Sequence, residues 1–112
     1  MNAAIEQLFT EPQTLVTDLS STCCLSKKQF EREFNLHIGM NPKAYARIVR
    51  FQKALKQMQH QQGKINQADL AYKCGYSDQS HLIREFRTLC GHTPLSLLEF
   101  TTPYSDLFIT PV

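Results

Sequence analysis

The chain has 112 residues, which is enough for one compact domain or for two very small ones packed together. Its hydrophobic fraction of 42% argues against intrinsic disorder, and no apolar run approaches the length of a membrane span. The acidic N-terminus lacks the basic start of a signal peptide, so the chain is expected to be cytoplasmic and not bound to a membrane.

The net charge is only +2, but the charges are unevenly distributed. Residues 1–26 carry three acids and no Lys or Arg, and residues 61–112 carry four bases and five acids. Between them lies a basic band with eight bases, two acids and a local net charge of +6; its bases are Lys27, Lys28, Arg32, Lys43, Arg47, Arg50, Lys53 and Lys56. This basic band is either an electrostatic footprint for phosphates or a solvated helix surface.

The four cysteines form no metal-binding or disulfide pattern. Cys23 and Cys24 are adjacent, no Cys-x-x-Cys pair occurs, and the four histidines stand at no ligand spacing from the thiols. We therefore expect reduced, buried structural thiols, with Cys74 and Cys90 facing a core. No nucleophile–base pair, carboxylate dyad or phosphate-binding glycine loop occurs, so neither an enzyme, a metal nor a cofactor is expected.

In chain order, the apolar pattern first predicts a short helix over residues 2–9, interrupted by Glu11-Pro12. Thr14 is expected to cap a second helix that ends near residues 21–22. A Ser26-x-x-Gln29 capping box then opens a third helix, which ends at Gly39. The residues expected to face inward on the second and third helices are Leu15, Val16, Leu19, Phe30, Phe34, Leu36 and Ile38.

A long amphipathic helix is predicted next. In Gly39-Met40-Asn41-Pro42 the glycine stops one helix, the asparagine caps another and the proline takes its first position. The new helix continues to about Met58 and is roughly 27 Å long at about 1.5 Å per residue. Its expected inner stripe is Ala44, Ile48, Phe51, Leu55 and Met58.

The second half of the chain repeats the same signals for the starts and ends of helices. Asn66-x-x-Asp69 caps a helix, Gly75 turns the chain, and Ser77-Asp78 begins the next helix. Gly91-His92-Thr93-Pro94 ends that helix and starts a last one over about 94–99. The expected inward residues are Leu70, Ala71, Cys74, Leu82, Phe86 and Leu89. Residues 101–112 are expected to form an irregular tail with apolar side chains that pack on another surface.

The two halves are copies of one pattern. Leu19 placed on Leu70 sets Cys24 opposite Gly75 and Ser26 opposite Ser77. After one extra residue in the second copy, Phe30, Arg32, Glu33, Phe34, Gly39 and Pro42 match Leu82, Arg84, Glu85, Phe86, Gly91 and Pro94. The pattern predicts an all-α fold of about seven helices, with two helix-turn-helix subdomains joined by the long helix. The expected bounds are about 2–40 and 65–99 for the subdomains, 41–60 for the linker helix, 1–100 for the domain and 101–112 for the tail.

The second copy also carries a family signature. The run Leu70-Ala71-x-x-x-Gly75-Tyr76-x-Asp78-x-Ser80-x-Leu82-x-Arg84-x-Phe86-Arg87-x-x-x-Gly91-x-Thr93-Pro94 resembles that of the AraC/XylS family of bacterial transcription regulators. The resemblance covers about residues 3–99 and implies a homeodomain-like, seven-helix DNA-binding domain that places two recognition helices, about 27–37 and 78–90, in the major groove. Two features depart from the family: Leu97-Leu98 replaces Tyr-Arg after Thr-Pro, and Cys24 stands where glycine is common.

The resemblance also implies partners. Double-stranded DNA is the expected ligand, RNA polymerase is a further candidate, and a separate effector-binding or dimerisation domain is expected but is missing from this chain. Successive major-groove segments on one side of B-DNA lie about 34 Å apart, so a linker helix of roughly 27 Å is about the size needed to serve two adjacent segments.

Eleven residues are candidates for DNA contact. On the first recognition helix Lys27, Lys28, Glu31 and Arg32 face outward. Arg32 is expected to meet a guanine edge or a phosphate, and Glu31 either accepts from cytosine N4 or pairs with a nearby lysine. On the second helix the candidates are Gln79, Ser80, His81, Ile83 and Arg84, and the resemblance adds Arg47 and Arg87 as phosphate contacts.

The side chains of the second helix suit particular base edges. Gln79 pairs with adenine, Arg84 with guanine, and Ile83 meets a thymine methyl group. Ser80 either faces the groove or stabilises the first turn of its helix through its hydroxyl. Because the basic band lies in the first half, we expect the first unit and the linker to supply most salt-dependent affinity and the second unit to add selectivity.

A second class of function stays open, namely a helical protein-interaction module of the same fold that has lost DNA binding. The acidic ends of the chain would suit such a module. The two functions differ in one consequence, because only DNA binding depends on Arg32 and Arg84.

Overall fold

The computed structural model describes residues 1–61 and 65–100, and the predicted tail at 101–112 lies outside these residues. All regular structure in the described ranges is helical, which confirms the all-α prediction of about seven helices. The helices are α1 (Asn2–Thr10), α2 (Val16–Thr22), α3 (Lys27–Ile38), α4 (Pro42–His60), α5 (Gln67–Cys74), α6 (Gln79–Cys90) and α7 (Pro94–Phe100). In this described part of the chain, no helix is both long and apolar enough to cross a membrane.

Side-chain caps fix the start of most helices. The predicted capping box opens α3, where Ser26 Oγ accepts a hydrogen bond from the Gln29 amide at 3.1 Å and the Ser26 amide donates to Gln29 Oε1 at 3.3 Å. Side-chain oxygens play the same accepting role at the starts of α4, α5, α6 and α7, namely those of Asn41, Asn66, Asp78 and Thr93. Such a bond satisfies an amide that the first turn of a helix leaves without an intrahelical partner.

The predicted cap at Thr14 is wrong. Thr14 Oγ1 donates to the Glu11 carbonyl at 2.7 Å, and α2 begins at Val16 without a side-chain cap. A hydroxyl that donates backward to a carbonyl closes the turn after α1 and does not satisfy an amide of the next helix. Leu15, expected to face inward, precedes the first turn of α2 and is 64% exposed.

The described chain divides into two compact units, one covering Met1–Arg50 and the other beginning at Phe51. Each unit has its own hydrophobic core, and α4 contributes to both. The buried residues of the first core are Ala4, Leu8, Leu19, Phe30, Phe34 and Ala46. Those of the second core are Ala54, Met58, Leu70, Ala71, Cys74, Tyr76, Leu82, Phe86 and Leu97.

Each helix pair has a backbone hydrogen bond at the same position of the repeat, as the alignment of the two copies predicts. The Leu25 amide donates to the Ser20 carbonyl at 3.0 Å after α2, and the Tyr76 amide donates to the Ala71 carbonyl at 3.0 Å after α5. With Leu19 placed on Leu70, the sequence alignment sets Ser20 opposite Ala71 and Leu25 opposite Tyr76. A bond of this kind closes the end of a helix while the chain reverses. The extra residue of the second copy therefore lies in its turn, before Asp78 caps α6.

Four predicted inward residues are more exposed than expected; besides Leu15 they are Leu36 (74%), Ile48 (37%) and Leu89 (39%). Helical geometry explains the exposure of Leu36. A step of two residues, about 200° around the axis, turns its side chain away from the buried ring of Phe34. Ile48 stands in the same relation to the buried Ala46. On α4 the buried positions that the apolar stripe missed include the aliphatic residues Ala46, Val49 and Ala54.

The cysteines differ in their surroundings. Cys74 lies in the second core, where burial raises the pKa of its thiol to about 11. Cys23 and Cys90 are half-buried, and all four thiols are unpaired as disulfides. The expectation of buried thiols is wrong for Cys24, which is exposed in the turn between α2 and α3.

Cys24 has an unfavourable backbone conformation for its residue type. Within the described residues it is the one non-glycine residue with positive φ, at 57°, whereas Gly39, Gly75 and Gly91 occupy the equivalent left-handed positions after other helices. Since an L side chain is strained in this region and glycine is not, Cys24→Gly is expected to stabilise the protein by about 0.5–1 kcal/mol after the extra entropy of an unfolded glycine is counted. Urea denaturation measures the change.

Gly39→Ala is the matched control for Cys24→Gly. Gly39 has φ +89°, and a Cβ placed there meets no atom within 4 Å, so no steric clash is added to the backbone strain. After the lower entropy of an unfolded alanine is counted, the control should lose about 0.5–1 kcal/mol of stability. A Cys24→Gly protein that is less stable than the parent would show that the cysteine side chain contributes more than its strained backbone costs.

Candidate nucleic-acid interface

The first candidate surface lies on α3. The rings of Phe30 and Phe34 are fully buried one turn apart, and they fix the side of the helix that faces the core. Lys27, Lys28 and Arg32 are exposed, and Glu31 is half-buried. Because residues four apart are neighbours on a helix, Lys28 and Arg32 lie side by side on the accessible surface.

The second candidate surface lies on α6. Leu82 and Phe86 are fully buried, and the ring of Phe86 meets that of Phe51 edge-on with centroids 4.8 Å apart. Ile83 is half-buried on this helix. Its exposed candidates are Gln79, Ser80, Arg84 and Arg87, of which the last three follow one another at steps of four and three residues and so share one side of the helix.

The repeat places an arginine at the same point of each candidate helix. Arg32 stands two residues before Phe34, and Arg84 stands two residues before Phe86. Both phenylalanines are fully buried and both arginines are exposed. The anchoring ring and the two-residue step thus point the two guanidinium groups away from their own cores in an equivalent way.

The start of α6 is held by Asp78. Its Oδ1 accepts a hydrogen bond from the His81 amide at 2.7 Å, with the Asp78 backbone extended. Asp78 therefore performs the capping role that the sequence left open for Ser80. The hydrogen bond to Asp78 fixes the first turn of the helix, and Gln79 and Ser80 are exposed to solvent on this turn.

His81 is half-buried, and its ring contacts neighbouring groups of the chain. Nδ1 lies 3.1 Å from the Ser77 amide nitrogen, and Nε2 lies 3.8 Å from Glu85 Oε1. The ring also packs edge-on against Tyr76 with centroids 5.2 Å apart. Sequence spacing did not reveal this arrangement, although a histidine four residues before a glutamate on one helix is a signal for such a pair. Among the described residues no cluster of His, Cys, Asp or Glu is arranged to hold a metal ion.

The basic band is less exposed than its charge suggests. Arg50 is 9% exposed, and its Nη1 donates to the Pro12 carbonyl at 3.2 Å, which ties α4 to the turn after α1. Arg47 and Lys53 are half-buried, while Lys43 and Lys56 are exposed. Arg50 stands four residues from each of the buried residues at 46 and 54 and so lies on their side of α4, which the predicted apolar stripe did not include.

Comparison with known proteins agrees with this arrangement. Residues 19–99 match a family described as a helix-turn-helix domain. The chain is similar to the HTH-type transcriptional activator RhaS from Escherichia coli O9:H4 (strain HS), from strain K12 / DH10B and from strain SE11, with 32% identity over 70 residues in each case. The similar region is 62% of this chain and 24% of each relative, so the chain spans about a quarter of the length of the curated relatives it matches. No solved structure matches the chain.

The matched region includes the turn and the second helix of both helix pairs, together with α4 and most of α7. It covers well over half of the chain, and the similar proteins carry the same helix-turn-helix designation. The chain therefore belongs to the AraC-type helix-turn-helix family of DNA-binding domains, which is not a class of enzyme.

Proposed function

We propose that the chain is the DNA-binding part of a transcription regulator that inserts α3 and α6 into adjacent major-groove segments of double-stranded DNA. One observation carries the proposal: two capped helices in equivalent units each expose an arginine beside a buried phenylalanine. The major groove admits an α-helix, and arginine is the side chain that most often reads guanine there.

On α6 the proposed base contacts come from the exposed side of the helix. Arg84 would donate two hydrogen bonds to O6 and N7 of a guanine, and Gln79 would pair with N6 and N7 of an adenine. Half-buried Ile83 would offer its outer methyl groups to a thymine methyl, and Ser80 would bond to a base edge or a phosphate. Arg87, one turn beyond Arg84, would contact a phosphate and position the helix.

On α3 the proposed contacts are more cationic. Arg32 would read a guanine, while Lys27 and Lys28 would contact phosphates at the start of the helix. Glu31 would accept from cytosine N4 or pair with a lysine of its own helix. Half-buried Arg47 on α4 would contribute a further phosphate contact. The burial of Arg50 removes it from this set, so fewer phosphates would be neutralised than the charge of the basic band suggests.

The domain organisation is part of the same proposal. The subdomains at about 2–40 and 65–99 would each read one groove segment, and residues 41–60 would link them. Cytoplasmic location, contact with RNA polymerase and a separate effector-binding or dimerisation domain stay predictions. Because RhaS is named a transcriptional activator, activation is the mode of regulation that we propose first.

Selection from a random duplex library followed by footprinting tests the proposal. The enriched sites should contain two preferred segments whose centres lie about 10–10.5 base pairs apart, which is one helical turn. The two segments need not form a palindrome, because the units within one chain differ in sequence. A site with a single short segment would contradict the use of both helices.

The double variant Arg32→Ala/Arg84→Ala serves as the control. It retains the buried residues of both cores, so it should fold like the parent while losing enrichment of any duplex. If the parent itself enriches no sequence at low salt, the alternative of a protein-interaction module becomes the better explanation of the fold.

A further inference from the structure

The turn between α5 and α6 contains a cluster of polar groups that is centred on the His81 imidazole. Nδ1 lies 3.1 Å from the Ser77 amide nitrogen and 3.2 Å from Ser77 Oγ, and Nε2 lies 3.8 Å from Glu85 Oε1. The ring edge packs against the Tyr76 ring with centroids 5.2 Å apart. The cluster thus joins the turn, the first turn of α6 and the second turn of the same helix.

The hydrogen bond from Ser77 determines the state of the ring. A backbone amide only donates, so Nδ1 must accept and cannot carry a proton while this bond exists. In the neutral ring the proton is therefore on Nε2, the nitrogen that faces the Glu85 carboxylate. Both ring nitrogens are thereby directed at groups of the chain, whereas a histidine that reads a base needs a nitrogen directed into the groove.

Burial supports this assignment. Glu85 is 8% exposed and Tyr76 is 6% exposed, so the two residues that the ring approaches are both buried. The side chain of His81 is 27% exposed. The adjacent Asp78 carboxylate accepts from the His81 amide at 2.7 Å and holds the backbone at the same point.

We propose that His81 is a positioning residue of α6, whose imidazole locks the turn at Ser77 to the helix and so places Gln79 and Ser80, and that it does not read a base itself. The inference rests on the proposed function, since it assumes that α6 enters the groove. The His81 rotamer is fixed by packing against Tyr76 and by the hydrogen bond from the Ser77 amide. A side chain held in this way is suited to keep a neighbouring recognition group in place.

Two variants of the full chain separate the contributions of the ring. His81→Phe keeps an aromatic ring beside Tyr76 but has no nitrogen to accept from Ser77. His81→Asn loses the ring but places an amide oxygen near the position of Nδ1, so it keeps the acceptor. The first readout is the Ser77 amide in a nitrogen-15 NMR spectrum without DNA, which should shift and exchange faster in His81→Phe and stay near its parent position in His81→Asn.

The second readout is binding to the best duplex from the library. His81→Phe should weaken binding about three- to tenfold, the size of one lost hydrogen bond, and His81→Asn should recover most of it. If His81 acts by placing Gln79 and Ser80, then adding His81→Phe to Gln79→Ala/Ser80→Ala should weaken binding no further. The NMR spectra also show directly whether each variant is folded.

A further, additive loss when His81→Phe is combined with Gln79→Ala/Ser80→Ala would overturn the proposal, because it indicates that His81 makes a contact of its own. An unchanged Ser77 amide in His81→Phe would overturn it as well. The Ser77 readout needs no DNA, so it still tests the contact between His81 and the turn if the parent chain binds no duplex. Failure of the parent chain to bind any duplex would refute the proposed function alone.

Discussion

Replacing Phe86 with alanine is expected to lower the free energy of unfolding by about 3–5 kcal/mol, the range for large aromatic side chains removed from a core. Phe86 is fully buried, and its ring meets that of Phe51 edge-on with centroids 4.8 Å apart. The loss is a large fraction of the roughly 5–15 kcal/mol that stabilises an ordinary domain. Urea denaturation monitored by circular dichroism measures it, and a single cooperative transition must be verified first.

Leu89→Ala is the matched control for Phe86→Ala, because it lies on the same helix three residues further on and is 39% exposed. Removing a side chain that already contacts water should change stability by less than about 1 kcal/mol. The comparison also distinguishes the two assignments of Leu89, which the apolar pattern had placed in the core. Equal losses from the two substitutions would mean that Leu89 packs as the pattern predicted.

The equivalent ring of the first unit gives an independent replicate. Phe34 is fully buried, with its ring centroid 5.9 Å from that of Phe30 and 5.5 Å from that of Tyr45. Phe34→Ala should destabilise the chain by a similar amount, because it too removes a fully buried ring that packs against another aromatic ring. Should it cost less than about 1 kcal/mol, the first core would have to be able to collapse around the missing ring.

Local signals explain why the helices could be predicted from the sequence. A capping box such as Ser26 with Gln29 acts over three residues, and a glycine such as Gly39 acts through its own backbone conformation. Neither depends on the distant chain, so both could be recognised without a structure. The failure at Thr14 shows the limit, since its hydroxyl had two local partners and the sequence did not determine which one it would take.

Long-range contacts were beyond the sequence. Arg50 contacts the Pro12 carbonyl, which lies 38 residues away in the chain, and an arginine in a run of bases gives no local sign that it is buried. His81 lies on the helix that the sequence predicted for it, α6, but the direction of its ring depends on how the turn at Ser77 approaches this helix. The pattern therefore predicted where the helices lie, whereas the direction of individual side chains depended on packing.

Arg84→Ala is expected to weaken binding to the preferred duplex by about 1–3 kcal/mol and to relax selectivity at one base pair, as for the loss of a bidentate contact with guanine. Arg84 is exposed on α6, two residues before the buried Phe86, so its removal leaves the core intact. Fluorescence anisotropy with the parent duplex and with single-base variants measures both effects. Arg32→Ala should have the corresponding effect at a different base pair, in the other groove segment.

Arg87→Ala is the control that distinguishes base recognition from electrostatic attraction to phosphates. Arg87 lies on the same exposed side of α6 and carries the same charge, but its proposed partner is a phosphate. Its removal should weaken binding to all duplexes by a similar factor and should lower the salt dependence of log K by about one phosphate equivalent. Arg84→Ala should instead lose most of its effect on duplexes that already lack the guanine. If both substitutions only reduced the salt dependence, without a change in base preference, Arg84 would be a phosphate contact and α6 would have to read sequence through Gln79, Ser80 or Ile83.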